Sequence, residues 1–272
     1  CIWGMAWSLR FLLVLCAVLA GCSAWHEDDL GLDDPVDTSG DRVEEKNSHG
    51  SRRLLSEWAQ PTATYPTGGA PLTFVAFGDW GCGADNCRLP DQDPHAASPA
   101  ALHADMVAGE MAKAAGSADA KFVVALGDNF YWRGVTSEHD PLWKSVYEDR
   151  FTQPSLQIPW FVLLGNHDHY GNAAAQLLYA QSGQDKRWVL PNYFWSTEQH
   201  LAPGGRVLQL VFIDTVMLDE AVSRAGLLEK IESGHVGTEA LAQWDAGAVF
   251  RRRAGEEQLQ WLEGVLFTSK AD

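Results

Sequence analysis

Three short apolar runs, Leu72 to Phe77, Phe122 to Leu126 and Trp160 to Leu164, each stop at a Gly followed by Asp or Asn. Nearly unbroken runs of this length, rich in Val, Phe and Leu, predict strands buried on both faces, with helices or a second sheet covering them. Between the first two runs the pattern predicts a helix, with Ser98 as N-cap, Pro99 at the first helical position, and Leu102, Met106 and Met111 near helical spacing. Leu208 to Ile213 forms a fourth apolar run ending at Asp214, and Glu256 to Phe267 carries Leu259, Leu262 and Leu266 on one helical face. The expected fold class is α/β, and a chain of 272 residues can build it as one large domain.

Two zones precede that body. From Met5 the order is Arg10, the apolar run Phe11 to Gly21, then the small residues Cys22, Ser23 and Ala24. This layout predicts a secretory leader over 1–24, and the run is shorter than the roughly 20 residues a bilayer span needs. Leu19 to Cys22 also has the form of a bacterial lipoprotein processing site, in which case Cys22 would carry lipid. Residues 25–70 hold nine acids between Glu27 and Glu45 and no sustained apolar period, as expected of an acidic disordered linker. The folded body is expected over 71–272. Thirty-six acidic against 20 basic side chains leave a net charge of -16, which argues against a nucleic-acid partner held through a basic face.

In an open α/β sheet, ligands bind beyond the carboxyl ends of the strands. The residues there are Gly78-Asp79-Trp80-Gly81, Gly127-Asp128-Asn129-Phe130-Tyr131 and Gly165-Asn166-His167-Asp168-His169. Two carboxylates brought a few ångströms apart repel unless one is protonated or a cation sits between them, and a metal is the simpler solution. Hard oxygen donors favour hard ions. A phenol such as Tyr131 becomes a ligand only when a strongly charged ion removes its proton, which points to Fe(III).

Taken together, the three segments resemble the calcineurin-like metallophosphoesterases, and within them the purple, tartrate-resistant acid phosphatases of the small animal type. That family writes its ligands as G-D-x-G, G-D-x-x-Y and G-N-H-D or G-N-H-E, followed by a later strand ending in His and then G-H-x-H. The resemblance covers roughly residues 71–272 and implies a β-sandwich flanked by helices. It implies that Asp79 and Tyr131 bind the ferric ion, that Asp128 bridges both ions, and that Asn166 binds a second, divalent ion of iron, zinc or manganese. His167 would sit over the phosphate and protonate the leaving oxygen, with Asp168 orienting that imidazole. The implied activity is hydrolysis of phosphate monoesters, on small esters or phosphoproteins, by a secreted or lysosome-like enzyme, periplasmic or lipid-anchored if bacterial. The alternatives are a phosphodiesterase of the same superfamily and a non-catalytic phosphate- or partner-binding form.

The chain also departs from the family pattern. The broader superfamily commonly has Asp-x-His in its first motif, where Gly81 stands here, and Tyr131 would fill the vacancy. No G-H-x-H occurs, so three of the seven family ligands are absent; the resemblance implies C-terminal truncation and a chain that alone binds metal poorly and is inactive. Gly234-His235-Val236-Gly237 lacks the second His, and His235 is expected in a loop. Cys82 and Cys87 either pair or remain free thiols, with pairing favoured in an oxidising compartment. Trp132, Trp143, Trp160 and Trp188 are expected in the core or pocket wall. His95, His103, His139 and His200 are expected away from the site, while His169 either lines the pocket or is locally bonded.

Overall fold

The computed structural model describes residues 12–16, 63–66, 71–83, 87, 99–202 and 206–269, all within one compact unit. The leader and acidic linker expected over 1–24 and 25–70 lie outside the described residues, apart from two short strands. These are β1 (Leu12–Cys16), within the apolar run, and β2 (Ala63–Pro66), at the end of the expected linker.

The three apolar runs do form strands, but the first, Val75–Phe77, lies at the edge of its sheet and is only partly buried, in contrast to the expected burial on both faces. Val75–Phe77 (β3), Val123–Ala125 (β4), Trp160–Val162 (β5) and Trp188–Val189 (β6) make a four-stranded parallel sheet in that order. β4 and β5 lie inside this sheet and are buried throughout, as near-continuous apolar sequence requires. Trp195–Ala202 (β7) and Arg206–Ile213 (β8) form an antiparallel pair at the centre of a second sheet ordered β1-β8-β7-β2, with both outer strands running parallel to their neighbours. Pro66, which lacks an N–H, falls on an edge strand, where it costs the ladder least.

The two sheets meet through aromatic side chains. Phe161 of β5 packs edge-on against Trp195 and Phe212, whose rings stack 4.1 Å apart, and the Trp195 indole donates to the Val162 carbonyl at 3.2 Å. On the opposite face of the parallel sheet, Phe77, Trp80, Tyr147, Phe151, Trp160 and Trp188 form a second aromatic layer. Part of that layer comes from a π-helical turn, Trp143–Glu148. Trp143, Trp160 and Trp188 are core residues, as expected.

Eight-residue or longer helices α1 (Pro99–Ser117), α3 (Ala173–Ser182), α5 (Glu220–Glu232), α6 (Glu239–Ala246) and α7 (Ala248–Thr268) accompany two single turns, α2 (Asn166–His169) and α4 (Thr215–Leu218). Two predicted helices are present but bury a different face. In α1, Leu102 and Met106 are exposed, and the inward stripe is Ala108, Met111, Ala112 and Ala115. In α7, Leu259 and Leu266 face outward while Arg251, Ala254, Gly255 and Gln258 face inward. The reason in α7 is a polar anchor: the Gln258 carboxamide accepts from Asp214 N at 2.6 Å and donates to Asp214 O at 3.0 Å, closing off both backbone groups at the end of β8. Leaving buried backbone groups unpaired is costly, so Gln258→Ala is expected to lower the unfolding free energy by about 2 kcal/mol. Leu259→Ala should stay within about 0.5 kcal/mol in the same denaturant titration.

Candidate metal centre

The loops leaving β3, β4 and β5 lie side by side at the carboxyl end of the parallel sheet. Backbone hydrogen bonds stitch the first two together: Asp79 N donates to Gly127 O (3.1 Å), Gly81 N to Asp128 O (3.0 Å) and Tyr131 N to Gly81 O (3.2 Å). Gly81 is required by this approach, because a Cβ there would lie 2.5 Å from Phe130 N. No side chain, and so no His, fits at that position on this backbone. Asp79 (φ 57°) and Asp128 (φ 50°) both adopt the left-handed conformation, which costs an L-residue about 1 to 2 kcal/mol. The side chains at both strand ends are held in this strained orientation by the loops around them.

The result is a close cluster of oxygens. The Tyr131 hydroxyl lies 3.0 Å from Asp79 Oδ1 and 2.8 Å from Asp128 Oδ2. A hydroxyl carries one proton, so it can donate to only one carboxylate at a time. Asp79 is exposed, whereas Asp128 is buried, and burial pushes the Asp128 carboxyl above its ordinary value, with a smaller push from Asp79. Burial, followed by the two carboxylates, likewise drives the Tyr131 phenol far above its usual range. Two carboxylates and a phenol converging on one point is a donor set that suits a hard cation, which relieves the repulsion and takes over the role of the shared proton. Among the described residues no group of three or more His, Cys, Asp or Glu side chains is placed to hold a metal ion, so the cluster of Asp79 and Asp128 depends on the Tyr131 phenol as its third oxygen.

The third loop closes against the second. His167 N donates to Asp128 Oδ1 at 3.1 Å, which sets α2 directly beside the carboxylate. Asn166, also buried, donates through Nδ2 to the Tyr170 hydroxyl at 2.8 Å. The His167 imidazole packs among Tyr131, Trp132 and Tyr170, with ring centroids 4.4, 5.4 and 5.1 Å away. Its Nδ1 lies 2.8 Å from the Trp132 carbonyl. A carbonyl only accepts, so Nδ1 carries a proton and Nε2 is the nitrogen that titrates. Burial lowers the imidazole's affinity for that second proton, and the Asp128 charge opposes the effect.

Asp168 does something other than orient the imidazole. Its carboxylate is fully buried and accepts from Asn129 N (3.1 Å), Phe130 N (3.2 Å), Gly165 N (2.8 Å) and Gln176 Nε2 (2.7 Å). The group therefore binds the β4 loop to the β5 loop, and the carbonyl of Trp132 takes the orienting role expected of it. Burial, then the charge of Asp128, pushes its carboxyl up to about 7 even though four donors surround it. Asp168→Asn would turn an NH2 group toward backbone N–H groups and leave buried donors unpaired. A loss of about 3 kcal/mol in unfolding free energy is expected, read from the chemical-denaturation midpoint.

Sequence reasoning does not place three residues that stand at this site. The Tyr170 ring contacts His167 and its hydroxyl contacts Asn166; Gln176 completes the Asp168 clamp; and the His235 ring lies 4.3 Å from Trp132, whose ring in turn packs against His167. Only their positions in the fold reveal them, since none carries a local sequence signal for its role. His169 is buried and bonded to Asp214 (2.7 Å), the local alternative for that residue. His103 and His139 are exposed, His200 is half-buried beside Glu198, and His95 lies outside the described residues. Cys82 and Cys87 are joined in a disulfide in the loop that follows Asp79, with Cα atoms 5.4 Å apart.

Parallel strands presenting such an oxygen cluster suit a metallophosphoesterase, and residues 72–261 match the calcineurin-like phosphoesterase family, to which the chain belongs. Within that family it is similar to the purple acid phosphatases. It is 37% identical over 166 residues to tartrate-resistant acid phosphatase type 5 of Oryctolagus cuniculus, covering 61% of this chain and 45% of that protein. The corresponding protein of Rattus norvegicus is 35% identical over 224 residues, 80% of this chain and 56% of the relative. Purple acid phosphatase 3 of Arabidopsis thaliana is 33% identical over 169 residues, 62% of this chain and 39% of the relative. The chain spans about half the length of the curated relatives it matches.

Proposed function

We propose that the protein containing this chain hydrolyses phosphate monoesters, small esters or phosphoproteins, at a dinuclear metal centre and works best at acidic pH. The observation that carries this reading is the Tyr131 hydroxyl within hydrogen-bond distance of both Asp79 and Asp128. Asp79 and Tyr131 would hold Fe(III), Asp128 would be shared between the two ions, and Asn166 would take a second ion of iron, zinc or manganese. Bound there, the ions supply positive charge to the phosphoryl oxygens and an acidified water as nucleophile.

The chain's own groups supply the rest. The His167 backbone N–H and the loops around Asp128 hold that carboxylate in place, so the donors need little reorganisation. His167, fixed through Nδ1 by the Trp132 carbonyl, presents Nε2–H when protonated and delivers that proton to the ester oxygen as the bond to phosphorus breaks. Acidic pH favours this form because burial makes the imidazole harder to protonate. Asp168 acts on the reaction only through the loops it ties together. The nucleophile is water rather than a side chain, so no phosphorylated protein accumulates.

The crowding at Gly81 supports a monoesterase over the diesterase members, because it leaves no room for the His of the Asp-x-His first motif. The Cys82–Cys87 disulfide supports an oxidising compartment, consistent with a leader over 1–24 ahead of a catalytic body over 71–272 and with a secreted or lysosome-like location. Among the described residues no helix is long and apolar enough to cross a membrane.

In the full-length protein, Asp128→Asn is expected to abolish both turnover and metal retention, as measured by elemental analysis and p-nitrophenyl phosphate hydrolysis. An active, metal-replete variant would refute the bridging role. His167→Asn is expected to lower kcat about 100 to 10,000-fold on an alkyl phosphate, and by much less on p-nitrophenyl phosphate, whose leaving group needs little protonation. Equal losses on both esters would remove His167 as the acid. A faster rate on a diester than on the matching monoester would overturn the substrate class.

A further inference from the structure

Asn166 differs from the other oxygen donors in one chemical respect. A carboxylate offers two equivalent oxygens, but a carboxamide has one oxygen, able to meet a cation, and one NH2, which repels it. The side-chain torsion that exchanges the two ends is soft. Something must therefore decide which end faces the cation.

Tyr170 is the group in contact with that carboxamide. Its hydroxyl donates its one proton to Ser223 O at 3.0 Å, so the phenol oxygen can only accept from Asn166, and it meets Nδ2 at 2.8 Å. The amide nitrogen is thereby held, and Oδ1 is left as the uncommitted oxygen. The tyrosine has little freedom of its own. Its ring is 1% exposed within a cluster formed by Val216, Leu227, Val236, Ala240 and Trp244. Helix α5 approaches so closely that a Cβ on Gly226 would lie 2.9 Å from the Tyr170 hydroxyl. The hydrogen-bond chain Asn166–Tyr170–Ser223 thus runs from the candidate centre into a helix remote from it in sequence.

We infer that Tyr170 is a positioning residue for the second metal ion: anchored on Ser223 of α5, it keeps the Asn166 carboxamide oxygen, and not its nitrogen, turned toward the cation. The inference rests on the dinuclear reading above and adds to it the device that makes an asparagine a reliable ligand. Groups that orient a metal ligand in this way typically set affinity by about 10 to 100-fold.

The test is a double-mutant cycle in the full-length protein, with Zn2+ titrated into the ferric-loaded form and binding followed by calorimetry. Tyr170→Phe keeps the ring and its packing but is expected to weaken Zn2+ binding about 10 to 100-fold, with ferric iron retained and the melting transition little changed. In an Asn166→Asp background the same Tyr170→Phe change should cost almost nothing, because a carboxylate has no wrong end. Gly226→Ala, which displaces the hydroxyl from the side of α5, should reproduce the Tyr170→Phe loss without touching the loops of the centre, and stands in for it should Tyr170→Phe not fold. Unchanged Zn2+ affinity in Tyr170→Phe, or an equal penalty with and without the Asn166→Asp change, would overturn the positioning role. A wild-type protein that takes up iron but no Zn2+ or other divalent ion would overturn the dinuclear reading itself, and the positioning role with it; the wild-type titration alone identifies that case.

Discussion

The carboxylate of Asp168 is the fixed point around which the site is assembled. Completely enclosed, it collects N–H groups from Asn129, Phe130 and Gly165 and from the Gln176 side chain, and so holds the β4 and β5 loops at a set separation. A carboxyl group in such a place is tolerable only when hydrogen-bond partners surround it, and even so burial and the Asp128 charge push it up to about 7. Because the clamp takes N–H groups on both sides of the two motifs, the residues between them have little choice. Asp128 receives the His167 N–H, and Tyr131 reaches back over both Asp79 and Asp128.

The sheet beneath supplies rigidity. β4 and β5 are buried on both faces between aromatic layers, so the loops they carry start from a support that does not yield. Strain at Asp79 and Asp128, both in the left-handed region, is kept in place by that support and by the close contact at Gly81. Side chains with opposed requirements can then occupy a small volume. Asp128 is buried beside the exposed charge of Asp79 and itself raises the proton affinity of Asp168; Tyr131 is hemmed in by two carboxylates, and His167 is made less basic by burial. A positive charge at the oxygen cluster is the single addition that relieves these conflicts together.

Much of this is legible in the sequence because it is written in local, periodic signals. Short apolar runs closed by Gly-Asp or Gly-Asn mark strands and the sheet edge where their loops emerge; β3, β4 and β5 lie within those runs, though only β4 and β5 are buried on both faces, because β3 has a neighbour on one side alone. The buried faces of α1 and α7 are not legible, because apolar periodicity overlooks alanine and cannot anticipate a glutamine turned inward to meet the backbone at Asp214. The role of Asp168 escapes sequence reasoning for a geometric reason: residues adjacent on a helical turn point in different directions, so His167 and Asp168 do not face each other. Tyr170 and Gln176 carry no local signature at all, and His235 carries only a partial G-H-x-H match that says nothing of its contact with Trp132. Their relevance arises only when α2, α3 and the segment after α5 are brought to the same rim.

A dinuclear centre at this sheet edge requires that Asp79, Asp128 and Tyr131 hold a cation in common. Crystals of the iron-loaded protein measured on both sides of the iron absorption edge locate the ion directly. The expected result is an anomalous peak within about 2.0 to 2.2 Å of an oxygen from each of the three side chains, the range typical of oxygen ligands. An iron peak elsewhere in the molecule, with the Tyr131 hydroxyl still hydrogen-bonded to the two carboxylates in the loaded crystal, would contradict it.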